Sequence, residues 1–262
     1  MDPSLRAAAT GMRAQQLRTE VIANNLANVN TTGFKRSRAH FEDLLYQTVQ
    51  GSTTIGAPDA ATLPAIQVGR GTRLSAVERL HSQGPIENTG RSMDLAIEGE
   101  GFFQVRTPND GIAYTRDGSF TMSDQGMLVT HGGYPVVPGI RIPGDATNVV
   151  ISRNGIVTVQ NGTSAEVTEI GRIEMARFTN PSGLLSAGEN LYTETPASGQ
   201  PVLGFPQEDG IGRILQGSLE GSNVQIVQEM VDMITSMRAY EINSKAIRNS
   251  EEMSDVANAM VR

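Results

Sequence analysis

The side chains best able to carry chemistry in this chain are its three histidines, His40, His81 and His131, which could move protons or ligate a metal. They lie far apart, and none has a second ligand at the i, i+3 or i, i+4 spacing of a metal site, so they are expected to be surface or packing residues. There is no cysteine, which removes disulfides, thiolate nucleophiles and Cys-ligated metals. Ser186 sits in "GLLSAG", not in a nucleophile elbow, and no H-E-x-x-H occurs. The paired glycines of "VGRGTR" and "IEGEGFF" lack the third glycine of a phosphate loop and read as turns or bulges. Glu98 and Glu100 are two apart, so strand alternation puts both on one face beside glycines, where solvated charge is expected and not an acid–base pair. No cofactor, metal or catalytic group is therefore expected, and the elements must position something other than a reaction.

A formal charge of −7 and a pI of about 5.1, without a basic run, argue against nucleic acid as a partner. No stretch of about 18 apolar residues is present, so a membrane-spanning segment is not expected. The start, "MDPSLRAAATGMRAQ", has no continuous apolar run of a secretory signal, so if the protein leaves the cytoplasm another route is expected to take it.

The pattern reads as α+β, with helical ends around a β middle. Positions 5, 8, 12, 15, 19, 22, 26 and 29 form a 3–4 stripe that includes Leu5, Met12, Ile22, Leu26 and Val29 but is polar at Gln15 and Thr19. Asp2-Pro3 suits a helix start, and Gly33 a left-handed stop with Phe34 packing back, giving a helix over roughly 3–30, about 40 Å long. The second stripe is stronger: Ile226, Met230, Met233, Met237, Tyr240 and Ile247, widened by Val227, Val231 and Ile234. Ser222 and Gln225 read as an S-x-x-Q capping box, placing that helix just after Gly221. Between them, Asp110-Gly111, Asp117-Gly118, Gln125-Gly126, Asn154-Gly155 and Asn161-Gly162 punctuate short β runs, predicting a meander or small barrel over about 85–205 with positive φ at each glycine. Residues 47–72, rich in Gly, Thr, Ala and Pro, exclude a helix and predict an extended or paired excursion.

The first helix raises a question of its own. Asn24, Asn25, Asn28 and Asn30 crowd its end, although Asn side chains compete with the helical backbone for hydrogen bonds. Asn24 and Asn28 share a ridge with Asn25 beside them. Either they form a solvated outer face, or they exchange uncharged hydrogen bonds with other subunits; the pattern leaves both open. The Met stripe implies packing, and two helices alone cannot cover stripes of that width.

"IANNLANVNTTGFKR" and "MRAYEINSKA" closely resemble the terminal signatures of the bacterial flagellar rod and hook axial proteins. Internal stretches, "FEDLLYQT", "ERLHSQG", "AIEGEGFFQV", "YTRDGSF" and "GENLYTET", extend the resemblance over nearly the whole chain and are most similar to the distal-rod members. The resemblance implies a structural subunit, not an enzyme. The terminal helices (1–32 and 222–262) would pair as a coiled coil lining a tube, with 33–72 as an extended connecting hairpin and 73–221 as the β domain outside. Such subunits form a helical homopolymer, a rigid hollow shaft that transmits torque and carries an export channel. The implied partners are further copies, proximal rod and hook subunits, periplasmic and outer-membrane ring proteins, and the flagellar export apparatus. The implied location is the basal body, from periplasm to outer membrane, reached without a cleaved signal. The residues expected in subunit packing are the stripe positions named above together with Asn24, Asn25 and Asn28. A secreted oligomeric carbohydrate-binding β protein is the alternative, weakened by five tyrosines and no tryptophan to stack on sugars. A peptidoglycan-cleaving enzyme would need an acid and base that the residues do not supply.

Overall fold

The computed structural model describes residues 3–51, 53–54, 62–63, 65–108, 111–161 and 167–260. It is α+β: an N-terminal helix, α1 (Pro3–Ala27), a C-terminal helix, α2 (Ile226–Met260), and β structure between them. The chain divides into two compact units, one of residues 1–26, 37–78 and 225–262, the other of residues 27–36 and 79–224.

In the first unit, α1 stops at Ala27, three residues before the expected end. A turn replaces the last helical positions, with Thr31 donating from N to Asn28 O (3.2 Å) and from Oγ1 to Asn28 Oδ1 (3.2 Å). This is the local competition that Asn and Thr side chains offer the helical ladder. Gly33 is left-handed as expected (φ +66°), but it lies too far beyond Ala27 to cap α1. The capping box at the other helix does not form either. Glu229 N donates to Gln225 O (3.0 Å), so Gln225 precedes the helix, while Ser222 Oγ accepts from Val224 N (3.3 Å) in an extended segment. The unit's β part is one long two-stranded ribbon. Ser37–Asp43 pairs with Thr72–Arg79, Tyr46–Gln50 with Ile66–Gly69, and Thr53–Thr54 with Thr62–Leu63. No helix occurs among the described residues of 47–72.

The second unit is built on a six-stranded antiparallel sheet in the order 185–188, 191–193, 112–115, 102–106, 175–177, 202–204. The expected meander is correct only for 146–151, 156–161 and 167–172. The main sheet interleaves distant segments and, among the described residues, has two free ends, so it is neither a meander nor a closed barrel. Alternation puts the adjacent Phe102 and Phe103 on opposite faces, and each face has its own core. Phe103 stacks edge-on against Phe120 (5.1 Å) among Leu95, Ile97, Met175 and Ile214, whereas Phe102 joins Tyr114, Phe178 and Tyr192. Gly126 and Gly155 take the positive φ expected of hairpin glycines. Gly118 does not; a Cβ there would stand 1.6 Å from Leu95 O, so glycine permits two backbones to touch. Asp110 and Gly162 lie outside the described residues, so those two turns are not described.

The histidines behave as packing and surface groups. His40 pairs with Glu78 (3.0 Å), and His131 Nδ1 is 2.9 Å from Ser119 O. His81 lies edge-on to Phe102 and Tyr192, and its ring nitrogens have no hydrogen-bond partner among the described residues. Burial, reinforced by the positive Lys35, Arg79 and Arg116, lowers its pKa to about 3. An unfolded chain would protonate this histidine near pH 6.5. Between those values the unfolded state binds the extra proton, so stability falls as pH drops from 6.5 towards 3. In His81→Phe, thermal unfolding of the second unit, followed from pH 7 to 4, is expected to lose part of that slope.

Candidate assembly surface and helix clasp

Side chains of α1 and α2 meet in antiparallel order. Thr19 Oγ1 is 2.9 Å from Ser236 Oγ, which in turn donates to Gln15 O (3.0 Å); Arg18 reaches Asp232 (3.4 Å), and Gly11 lies against Asn243. At the far end Asn25, 1 % exposed, donates from Nδ2 to Glu229 Oε2 (3.2 Å) and to Ser37 O (2.8 Å), and accepts from Ser37 N (2.9 Å). One amide therefore ties α1 both to α2 and to the first ribbon strand. It is the only type of side chain here that can donate to a carboxylate and still serve both groups of one peptide backbone.

This arrangement sorts the candidate residues. Asn25 and Ile22 are buried; Leu5, Met12, Leu26, Asn28, Val29, Met233 and Ile247 are half-buried; Asn24, Ile226, Met230, Met237 and Tyr240 are exposed. The Met stripe of α2 is thus not its face towards α1: Met230 is 52 % and Met237 49 % exposed. A line of buried and half-buried residues on α2 runs through Glu229, Asp232, Ser236, Ala239, Asn243, Ile247 and Ser250, with Met233 and Ser244 half-buried at its edge. Its spacings are all three or four, as a helix seam requires, but the line is mostly polar, so apolar periodicity does not reveal it. The larger apolar residues, Val227, Met230, Val231, Ile234, Met237 and Ile242, form the surface of the helix.

In the second unit a clasp accounts for "TTGFKR". The backbone N of Gly33 donates to Glu220 O (2.7 Å), and Lys35 Nζ, fully buried, donates to Glu220 Oε1 (2.6 Å) and Ser82 O (2.8 Å). Arg116 lies 3.6 Å from the other Glu220 oxygen. Asn223 accepts from Arg36 N (2.7 Å) and donates to Leu80 O (2.8 Å). The segment that follows α1 and the segment that precedes α2 are thereby bound side by side. Burial lowers the Lys35 pKa, opposed by the Glu220 carboxylate; burial likewise lowers that of Arg116. Nothing in the sequence spacing linked Lys35 to Glu220.

The remaining chemical candidates are structural. Glu98 ends its strand and forms a two-pronged pair with Arg213 (2.7 and 2.9 Å), which holds its carboxyl below the usual range. Glu100 lies outside that strand and faces Arg177 at 3.8 Å, so the two carboxylates do not share a strand face as the alternation suggested. Among the described residues no three His, Asp or Glu side chains are grouped to hold a metal, and no helix is long and apolar enough to cross a membrane.

Comparison with known proteins places these surfaces in context. Residues 5–35 match the family model for flagella basal body rod proteins, 96–159 that for the flagellar hook protein FlgE/F/G D1 domain, and 215–260 that for the flagellar basal body rod FlgEFG C-terminal region. The chain is 49 % identical over 253 residues to the flagellar basal-body rod protein FlgG of Buchnera aphidicola subsp. Schizaphis graminum, covering 97 % of each chain. It is 48 % identical over 261 residues to FlgG of Borreliella burgdorferi, covering 99 % of this chain and 98 % of that one. With FlgG of Agrobacterium fabrum the identity is 46 % over 254 residues, 97 % of each.

Asn25→Ala would leave the Ser37 backbone and the Glu229 carboxylate without their amide. Thermal or denaturant unfolding of the first unit is expected to show a loss of about 2–4 kcal/mol, the scale for unsatisfied buried polar groups. Asn24→Ala, at an exposed position, is expected to change stability by less than about 1 kcal/mol.

Proposed function

This chain belongs to the flagellar basal-body rod protein family of FlgG, and from that membership we propose that it is a structural subunit of the distal rod, polymerising helically into a rigid hollow shaft that transmits torque and carries the export channel. The observation that carries this reading is the exposed apolar stripe of α2. Val227, Met230, Val231, Ile234, Met237 and Tyr240 are 44–76 % exposed within the chain, and a contiguous apolar face of that length marks an interaction site. The polar contacts between α1 and α2 occupy the other side of α2, so the stripe is available to further copies. In this proposal the two helices act as a coiled-coil unit facing the channel, with Leu5, Met12, Ile22, Leu26, Val29, Met233 and Ile247 completing the packing between and within subunits. Asn24 and Asn28 are its polar contacts to neighbours.

Contacts between unlike surfaces repeated by one screw operation give an open polymer, as a shaft requires. The ribbon of residues 37–79 exposes Leu45, Tyr46, Val49, Ile66 and Val68, which supports its lying on an adjacent subunit and stiffening the shaft. Proximal rod and hook subunits at the ends, ring proteins around the outside and the export apparatus at the base complete the set of partners, with the rod running from periplasm to outer membrane. A carbohydrate-binding reading gains no support, since Tyr114 and Tyr192 are packed in the sheet's own core.

Because Met230 and Met237 are exposed in the single chain, replacing both with Asp costs the subunit little but puts repeated charges into the apolar contact. Electron microscopy of concentrated protein is expected to show tubes for the unsubstituted chain and none for Met230→Asp/Met237→Asp. The variant should remain a folded monomer by circular dichroism. Tubes formed equally well by the variant would remove the stripe from the assembly.

A further inference from the structure

The two helices differ in length, and their pairing leaves one end of α2 uncovered. Gly11 opposite Asn243, Gln15 opposite Ser236 and Arg18 opposite Asp232 set the register. Carried back at equal rise per residue, α1 runs out opposite residue 250 or so, and the last ten residues of α2 project beyond Pro3 by roughly 15 Å. Ser250 is the last buried residue of α2 among those whose side chains are described. Past it Ser254 is half-buried, and Met253, Val256 and Met260 are exposed, the last at 83 %. Glu251, Glu252 and Asp255 make the same segment acidic, with no Lys or Arg between Asn249 and Met260.

A groove of matching chemistry lies on the other side of α1. It measures about 550 Å³ and runs between the first turns of α1 and the base of the ribbon, lined by Ala9, Leu45, Val49 and Val68 with Arg6 and Arg70 among them. Neither arginine has a carboxylate partner among the described residues. At 3.6 residues per turn, the α1 positions that line the groove (6, 9 and 10) are rotated by roughly 150° from those that meet α2 (11, 15 and 18). An unbroken α2 lying on one face cannot bend onto the opposite one, so the chain's own C-terminal end is not the occupant.

We propose that this groove receives the projecting end of α2, residues 251–260, from a second copy of the chain. Met253 and Val256 would enter among Leu45, Val49 and Val68, and Glu251, Glu252 and Asp255 would face Arg6 and Arg70. Tail and groove are different surfaces of one chain, so each copy would offer a tail to one neighbour and a groove to another, which propagates without closing. The inference rests on the assembly reading above and specifies one of its contacts.

The absence of cysteine makes the test direct, since every introduced thiol is unique. Ala9→Cys and Val256→Cys, both at exposed positions, are placed together in the full-length chain, which is polymerised and oxidised with copper phenanthroline. The expected result is a ladder of covalent dimers, trimers and higher multimers on a non-reducing gel. Tubes without the ladder, or an internally bridged monomer, would overturn this contact alone. Absence of tubes from the unsubstituted chain would overturn the assembly reading and this inference with it. As a second arm, Arg6→Glu/Arg70→Glu is expected to raise the critical concentration about tenfold, with recovery when Glu251 and Glu252 are changed to Lys in the same chain. An unchanged critical concentration would count against the charged part of the contact.

Discussion

The hydrogen bonds of Asn25 to Glu229 and Ser37 are the constraint from which the first unit's arrangement follows. A carboxylate as buried as Glu229 is tolerable only where donors meet it, because its desolvation costs several kcal/mol otherwise. That requirement fixes the rotation of α2 about its axis. With Glu229 turned towards α1, the positions three and seven residues on, Asp232 and Ser236, must follow, and Ser236 meets Gln15 and Thr19. The Met, Val and Ile residues then occupy the outer side. Apolar pairing would tolerate slippage between the helices; polar groups that each need a partner do not.

The same logic operates in the second unit. Lys35, Arg116 and Glu220 are buried with one negative charge between two positive ones, and the backbone of Ser82 and Gly84 shares in satisfying them. Such a group contributes less to net stability than an apolar core of equal volume would, but removing one member leaves a buried charge alone. Its position is informative: Gly33 to Arg36 follow α1, and Glu220 to Asn223 precede α2. Both unit interiors thus use polar groups to define geometry, while the apolar material that could stabilise a larger object is left at the surface of α2 and the ribbon.

Much of the fold was legible in the residues. Pro3, the 3–4 stripes and the long C-terminal run located both helices, and the Gln125-Gly126 and Asn154-Gly155 pairs located two hairpins, because each signal is local. The misreadings have physical causes. Ser222 and Gln225 match a capping box, but Ser222 is held in an extended segment and its hydroxyl serves Val224. The sheet order could not be read, since the pairing of 95–98 with 213–216 joins segments more than a hundred residues apart. The α2 seam was missed for a different reason: Glu229, Asp232, Ser236 and Asn243 have helical spacing, but polarity is ordinarily taken to mean solvent. Among the asparagines the pattern pointed to Asn24, Asn25 and Asn28 alike, and of these Asn25 carries the buried bonds to Ser37 and Glu229. Neighbouring amides are alike in sequence, and only the direction of each side chain separates them.

The central claim is that α2 keeps its polar side for its own chain and its apolar side for other copies. Its methionines report this directly, since thioether oxidation by hydrogen peroxide follows solvent exposure. Oxidation of each methionine, measured by peptide mass spectrometry in monomer and in polymer, should show Met230 and Met237 reactive in the monomer and protected in the polymer, with the fully buried Met175 unreactive in both. Equal reactivity of Met230 and Met237 in the two states would contradict the account.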